Sequence, residues 1–334
     1  MAGQSNQKLK LIYVLDILKK YSDEENPLNA IDIAEKLAEY GIDAERKSIY
    51  NDIGVLEQYG CDIIKTGTPK KGWFIGDREF EVPEIHLLCD AVRSAKFISP
   101  KKTRELLHKL NSMLSVYQTK KWENSVFFSV QDKSANEEIY YNIDKINTAI
   151  RANKQIRLKY SSRTLGGNRE IERNTKERVV NPYALTWQDD YYYLICNYSK
   201  YDNLIHLRLD RINSVEILES KARHFSEVCE YKDFFDTADY TNKLFGMHSG
   251  QLYDVELCCD RSITEPVLDR FSEKIFIKKV TETTFNFTVK AALSQALVTW
   301  IINYGSQLKV VKPALLQDMV TERAKKVLEN YGID

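Results

Sequence analysis

Apolar positions along the first sixty residues recur at helical spacing. Leu9, Ile12, Leu15 and Leu18 stand three apart, and Leu11 and Val14 widen the stripe, which predicts an amphipathic helix over residues 8–21. Past Pro27-Leu28, Asn29 is placed to cap a second helix running to Tyr40, with Ile33, Ala34 and Leu37 turned inward. Gly41 suits the left-handed residue that ends it. Asp43 is the expected cap of a third helix, in which Ile49, Ile53 and Leu56 recur until Gly60. Two short helices joined by a tight, glycine-containing turn make a helix-turn-helix unit. The period then drops to two. Residues 61–66 and 71–75 are short β-prone runs separated by Gly67-Thr68-Pro69-Lys70, a hairpin with Lys65, Lys70 and Lys71 near its tip.

Helical spacing returns in the connector. Ile85, Leu88, Val92 and Ala95 mark one helix that Pro83 opens, and Leu106, Leu107, Leu110, Met113 and Leu114 mark another beyond Pro100. Residues 124–138 are polar and mixed, a flexible crossing in which Val126-Phe127-Phe128 is expected to pack. A helix over 137–152 then leads into short strands: 155–162, a polar strand reaching Leu185, a turn at Gln188-Asp189-Asp190, a hairpin over 191–212, and 214–218. Five short strands with tight turns fit a small, bent barrel better than an open sheet. From residue 251 the runs read strand, helix, strand, strand, helix, strand, helix, the split βαββαβ order with one further helix.

A chain of 334 residues is too long for one ordinary core. The segments expected are 1–80, a helical connector over 81–136, a sensor over 137–220 and a C-terminal extension over 221–334. With 43% hydrophobic and 29% charged residues the composition is that of a globular protein. Neither a membrane-spanning run nor an apolar signal core is present, so a cytoplasmic location and no membrane partner are expected. Six cysteines lack metal-ligand spacing, and neither metal nor cofactor is expected. Nucleophile elbow, P-loop, dinucleotide fingerprint and His-Glu-x-x-His are all missing, and Asp189-Asp190 reads as a turn rather than a metal-binding pair, so the chain is not expected to be an enzyme. The net charge of zero argues against indiscriminate coating of nucleic acid, yet the charge is uneven. Residues 1–80 carry 11 Lys/Arg against 14 Asp/Glu, while residues 154–211 carry 11 against 7. Any nucleic-acid contact near the N-terminus therefore rests on a few well-placed cations.

Two clusters carry candidate chemistry. On the third predicted helix Arg46, Lys47, Ser48, Tyr50 and Asn51 lie off the apolar stripe, towards the end that a recognition helix presents to the major groove. Arg46 is the expected base reader, Asn51 is suited to adenine, and Lys47, Lys65, Lys70 and Lys71 are expected phosphate contacts. The second cluster is the tyrosine hairpin, Tyr191-Tyr192-Tyr193-Leu194 with His206, Arg208 and Arg211, equipped to grip an anionic, ring-bearing ligand. Tyr193 could equally be a core aromatic, and Arg208 with Arg211 could form a structural ion pair with Asp210 or Glu177.

Residues 46–56, Arg-Lys-Ser-Ile-Tyr-Asn-Asp-Ile-Gly-Val-Leu, resemble the recognition-helix pattern of the winged helix-turn-helix that opens WYL-type and DeoR-like regulators, departing at Asn51, where an arginine is common. Tyr192-Tyr193-Leu194 resembles the Trp-Tyr-Leu triplet of the WYL domain, with Trp187 just upstream, and residues 296–313 resemble the extension that follows such domains. The resemblance implies an α+β chain: winged helix-turn-helix, helical connector, Sm-like or SH3-type barrel, and a ferredoxin-like C-terminal domain suited to dimerisation. It places effector contacts at Ser162, Tyr193, His206, Arg208 and Arg211. The function implied is that of a homodimeric bacterial transcription regulator. It would bind double-stranded DNA and sense a nucleotide or single-stranded nucleic acid. The alternative is an RNA- or single-stranded-DNA-binding accessory protein of a phage-defence system.

Overall fold

In the computed structural model the chain forms two compact units, residues 1–137 and 138–334. The structure describes residues 2–123, 133–167, 169–273 and 275–333. Most of the expected crossing, including Val126-Phe127-Phe128, lies outside the described residues.

The first unit begins with α1 (Ala2–Tyr21), α2 (Ala30–Glu39) and α3 (Arg46–Tyr59), followed by the antiparallel hairpin β1 (Ile63–Thr66) and β2 (Gly72–Ile75). Asn29 caps α2: its Oδ1 accepts from the Ile31 and Asp32 amides, and the Asp32 carboxylate accepts the Asn29 amide in return. Gly60 ends α3 in the left-handed region. Asp43 does not cap α3. The helix starts two residues later than that cap would require, after Glu45, which makes no side-chain cap. The stripe of α1 also differs from the expectation. Val14, Ile17 and Leu18 are buried, whereas Leu9 and Ile12 are about half exposed. Steps of three on a helix of 3.6 residues per turn fall short by a sixth of a turn each time, so the row 9-12-15-18 winds off the buried face.

These helices and the hairpin share one core, with Ile33, Leu37, Ile49, Ile53, Leu56 and Trp73 at its centre. The hairpin is tied to the segment before α2 by reciprocal bonds between Leu28 and Trp73, 2.9 and 2.8 Å. Gly72 permits this approach, since a Cβ there would sit 2.7 Å from the Leu28 carbonyl carbon. The connector follows as α4 (Val82–Ser94), α5 (Pro100–Asn111) and α6 (Val116–Glu123). Pro100 is the first residue of α5, behind the Ser99 cap, and Ile85, Cys89 and Leu114 form the connector's own small core.

The second unit opens with α7 (Ile139–Arg151) and five strands, β3 (Lys154–Leu165), β4 (Ile171–Gln188), β5 (Tyr191–Asn197), β6 (Leu204–Arg208) and β7 (Ile212–Lys221). They pair antiparallel in the order β6-β5-β4-β3-β7. The expected barrel is not closed by hydrogen bonds among the described residues. A 3-10 turn, Leu209–Arg211, carries the chain from one edge strand of the sheet to the other. Asp189 and Asp190, both at positive φ, make the β4–β5 turn. A short helix α8 (Thr237–Asn242) precedes β8 (Leu252–Asp260), α9 (Thr264–Phe271), β9 (Phe276–Val280), β10 (Thr284–Ala292), α10 (Gln295–Asn303), β11 (Leu308–Lys312) and α11 (Ala314–Asn330). This second sheet is antiparallel in the order β11-β8-β10-β9, packed around Phe287, Leu257 and Val298.

Candidate nucleic-acid interface and effector site

The start of α3 displays its cations. Arg46, Lys47 and Asn51 are exposed, and none of their side chains hydrogen bonds or ion pairs with a described residue. Two of the five candidates on this helix are engaged elsewhere. Ser48 is bonded to the Lys10 ammonium of α1, which also pairs with Asp52 at 2.9 Å. The Tyr50 ring stands edge-on to Trp73 of β2, centroids 4.9 Å apart, so it braces the hairpin while staying half exposed. On the hairpin Lys65 and Lys71 are exposed, but Lys70 reaches back 2.8 Å to Asp32. Burial pushes the Asp32 carboxyl up, yet the Lys70 ammonium and the Asn29 amide outweigh it and hold the carboxyl below its ordinary range. The hairpin tip thus offers two untethered lysines, not three.

Lys10 and Asp52 are residues that the sequence reading passed over. Their side chains are only 10% and 11% exposed, which makes the pair an internal bolt between α1 and α3. The signal was present, because Asp52 adjoins Ile53 on the buried stripe and a carboxylate there needs a countercharge.

The β5–β6 hairpin behaves differently. Its register sets Tyr193 opposite Arg208 and Ile195 opposite His206, so all four side chains leave one face of the sheet. That face is covered. Ile195 and Leu204 pack with Val228, Tyr240, Leu244, Met247 and Ala292 of the C-terminal extension, with Tyr193 and Tyr183 at the margin. Both His206 ring nitrogens are occupied, Nδ1 2.7 Å from the Met247 carbonyl oxygen and Nε2 3.0 Å from the Tyr240 hydroxyl. Burial drives the imidazole's pKa down to about 4, the Met247 carbonyl opposing only in part, so His206 is neutral at neutral pH. A ring so placed is a staple between the sheet and the extension, with neither nitrogen left for a ligand.

Arg208 is also spent. It donates two bonds to Asp210, 3.0 and 2.7 Å, and its guanidinium lies 3.3 Å from the centroid of the Tyr191 ring. This is the structural ion pair with Asp210 that the sequence left open. Arg211, on the 3-10 turn, is half-buried and makes no hydrogen bond or ion pair with a described residue. The register then places it beside the middle of β3, where Tyr160 pairs with Ile212. Ser162, two residues further along β3, spends its hydroxyl on the Asn174 carbonyl at 3.3 Å. The five expected contacts therefore fall into two groups: Tyr193, His206 and Arg208 on the covered face, and Arg211 near Ser162 at the turn.

Two other features went unread. Arg178 of β4 is bonded to the Tyr198 hydroxyl and lies over the Tyr160 ring, 4.8 Å from its centroid. Trp187 stands directly across the ladder from Tyr192, so an aromatic pair spans the hairpin at the position of the triplet's missing tryptophan.

Residues 141–217 match the family model of the WYL domain, from α7 into β7. Among solved structures the chain is similar to Proteasome accessory factor B/C (PafBC) of Arthrobacter aurescens, with 17% identity and a TM-score of 0.27. The similarity covers 95% of this chain and 46% of that one, so the chain spans less than half of PafBC's length. No curated protein matches. No helix among the described residues is long and apolar enough to cross a membrane.

Proposed function

We propose that this protein is a non-enzymatic, ligand-responsive transcription regulator of the WYL type that acts as a homodimer. In this reading the three helices and hairpin of residues 1–80 are a winged helix-turn-helix. Arg46 and Asn51 read base edges in the major groove of duplex DNA, and Lys47, Lys65 and Lys71 hold phosphates. The WYL domain senses a nucleotide or single-stranded nucleic acid, and the C-terminal extension, read as ferredoxin-like, pairs two copies on a two-fold operator. The observation that carries the proposal is the unspent start of α3: Arg46, Lys47 and Asn51 exposed on a helix whose other face is bolted into a core shared with the hairpin.

Within the WYL domain the effector's anionic group is assigned to Arg211. Arg208 would have to surrender Asp210 to take part.

Fluorescence anisotropy with labelled duplex DNA, single-stranded DNA and RNA at two salt concentrations tests this. Wild type is expected to prefer duplex. Arg46→Ala should lose that preference, while Arg211→Ala should keep duplex binding and lose the single-strand response. Duplex binding that survives Arg46→Ala together with Lys47→Ala, but vanishes with Arg211→Ala, would favour the single-strand-binding accessory protein instead.

A further inference from the structure

The first unit holds a cleft of about 870 Å³ walled by α1, α4, α5 and α6. Its volume falls in the range of small-molecule sites. Five cations line it from four different helices: Lys19 and Lys20 of α1, Arg93 of α4, Arg104 of α5 and Lys120 of α6, with Asp16 the one carboxylate among the lining residues. Leu107, Leu114 and Val116 supply an apolar wall, and Tyr40, stacked on Tyr13 at 4.7 Å, adds an aromatic ring.

A single basic helix face is an ordinary solvated surface, but convergence from four helices is not. It is less ordinary still because residues 1–80, which supply α1, carry more acid than base. Elsewhere in this unit Lys36 pairs with Glu39, Lys70 with Asp32, Lys102 with Glu105 and Lys121 with Glu25, and within the lining Arg93 pairs with Asp90 at 3.0 Å. Lys19 and Arg104, by contrast, make no ion pair with a described residue. Lys19 and Arg104 are like charges without carboxylate partners among the described residues, so they repel when brought together, and a bound anion relieves that repulsion.

We propose that this cleft binds a small phosphorylated molecule, with its phosphates on Lys19 and Arg104 and a ring or apolar portion against Tyr40 and the leucine wall. The site lies in the helical connector, is separate from the WYL domain and does not depend on the function proposed above. Because α1 belongs to the core shared with α3 while α4 and α5 build the connector core, a ligand seated there links the two cores.

The test is titration of the full-length protein with a fluorescent N-methylanthraniloyl ATP, with inorganic pyrophosphate and adenosine as competitors. Saturable binding that pyrophosphate displaces is expected. Lys19→Glu with Arg104→Glu should weaken binding at least about tenfold. The charge-matched pair Lys101→Glu with Lys109→Glu, outside the lining, should leave it within about twofold. The charge-reversed variants should melt as wild type does, since the altered side chains are exposed. Absence of saturable binding by wild type overturns the proposal. So does binding that the Lys19/Arg104 pair leaves unchanged, or equal loss in both charge-reversed pairs. If the Lys19/Arg104 pair weakened duplex DNA binding about tenfold without nucleotide present, the cleft would be a DNA-backbone contact and the proposal would fall.

Discussion

The start of α3 and the β5–β6 hairpin are both built around arginine, and the fold treats them oppositely. Arg46 projects from a helix whose internal electrostatics are settled by another pair, Lys10 with Asp52. Arg208 settles the electrostatics of its own hairpin, with Asp210 on its fork and Tyr191 under its plane. A charge on display and a charge already in use look alike in a sequence. What separates them is whether the surrounding structure has supplied the countercharge.

Asp52→Ala gives this contrast its largest test. Removing one partner of a nearly buried pair strands the Lys10 ammonium and should cost about 3–5 kcal/mol in urea unfolding, while Lys10→Met with Asp52→Leu should restore much of that. Failure of the paired replacement to recover stability would show that the bolt does more than neutralise charge.

Acid comes next. The folded pKa of His206, about 4, lies below the unfolded value of about 6.5, so the unfolded chain takes up a proton that the folded chain refuses. The stability from a neutral His206 is complete above pH 6.5 and is lost as pH falls towards 4, by up to about 3 kcal/mol. Unfolding free energies of wild type and His206→Gln across that window should converge as the pH drops. Parallel curves would remove His206 as the source of acid sensitivity.

The two arginines can then be set side by side. Arg46→Ala should cost about 1–3 kcal/mol of duplex affinity and relax sequence preference, with stability unchanged within about 0.5 kcal/mol. Arg208→Ala should do the reverse, lowering stability by about 1–2 kcal/mol and leaving effector-free duplex binding intact. Equal stability losses in both would erase the distinction. The smallest effect concerns a polar group neither in use nor on display: the Tyr183 hydroxyl is buried and has no hydrogen-bond partner among the described residues. Tyr183→Phe should raise stability by up to about 1 kcal/mol in thermal unfolding.

How far the sequence could be read follows from the same physics. The α2 cap at Asn29, the Gly60 stop and the element order from residue 251 onward were legible, because local capping and periodicity decide them, whereas α8 went unread. The α1 stripe was misjudged because spacing by three mimics a helical face over only one or two turns before winding away. Asp43 looked like a cap by residue type, but the turn after Gly41 delays the helix to Arg46. At the candidate sites, residue types were readable and their engagement was not. What occupies His206 are Tyr240 and Met247, more than thirty residues away in the chain, and no local pattern announces such a meeting. Lys70 shows the same blindness, since its partner Asp32 lies on α2, thirty-eight residues back in the chain.

Gly72 has a consequence for control. By leaving room for the Leu28 backbone it lets the hairpin dock on the segment that starts α2, while Tyr50 of α3 leans on the neighbouring Trp73. The helix that would meet the bases and the loop that would flank it are thereby one stamp with a fixed imprint. Under the function proposed, a signal cannot retune what each copy recognises. It can only alter how far apart two stamps are held, so the effector would choose among operators by the spacing of their half-sites while the half-site sequence stays the same.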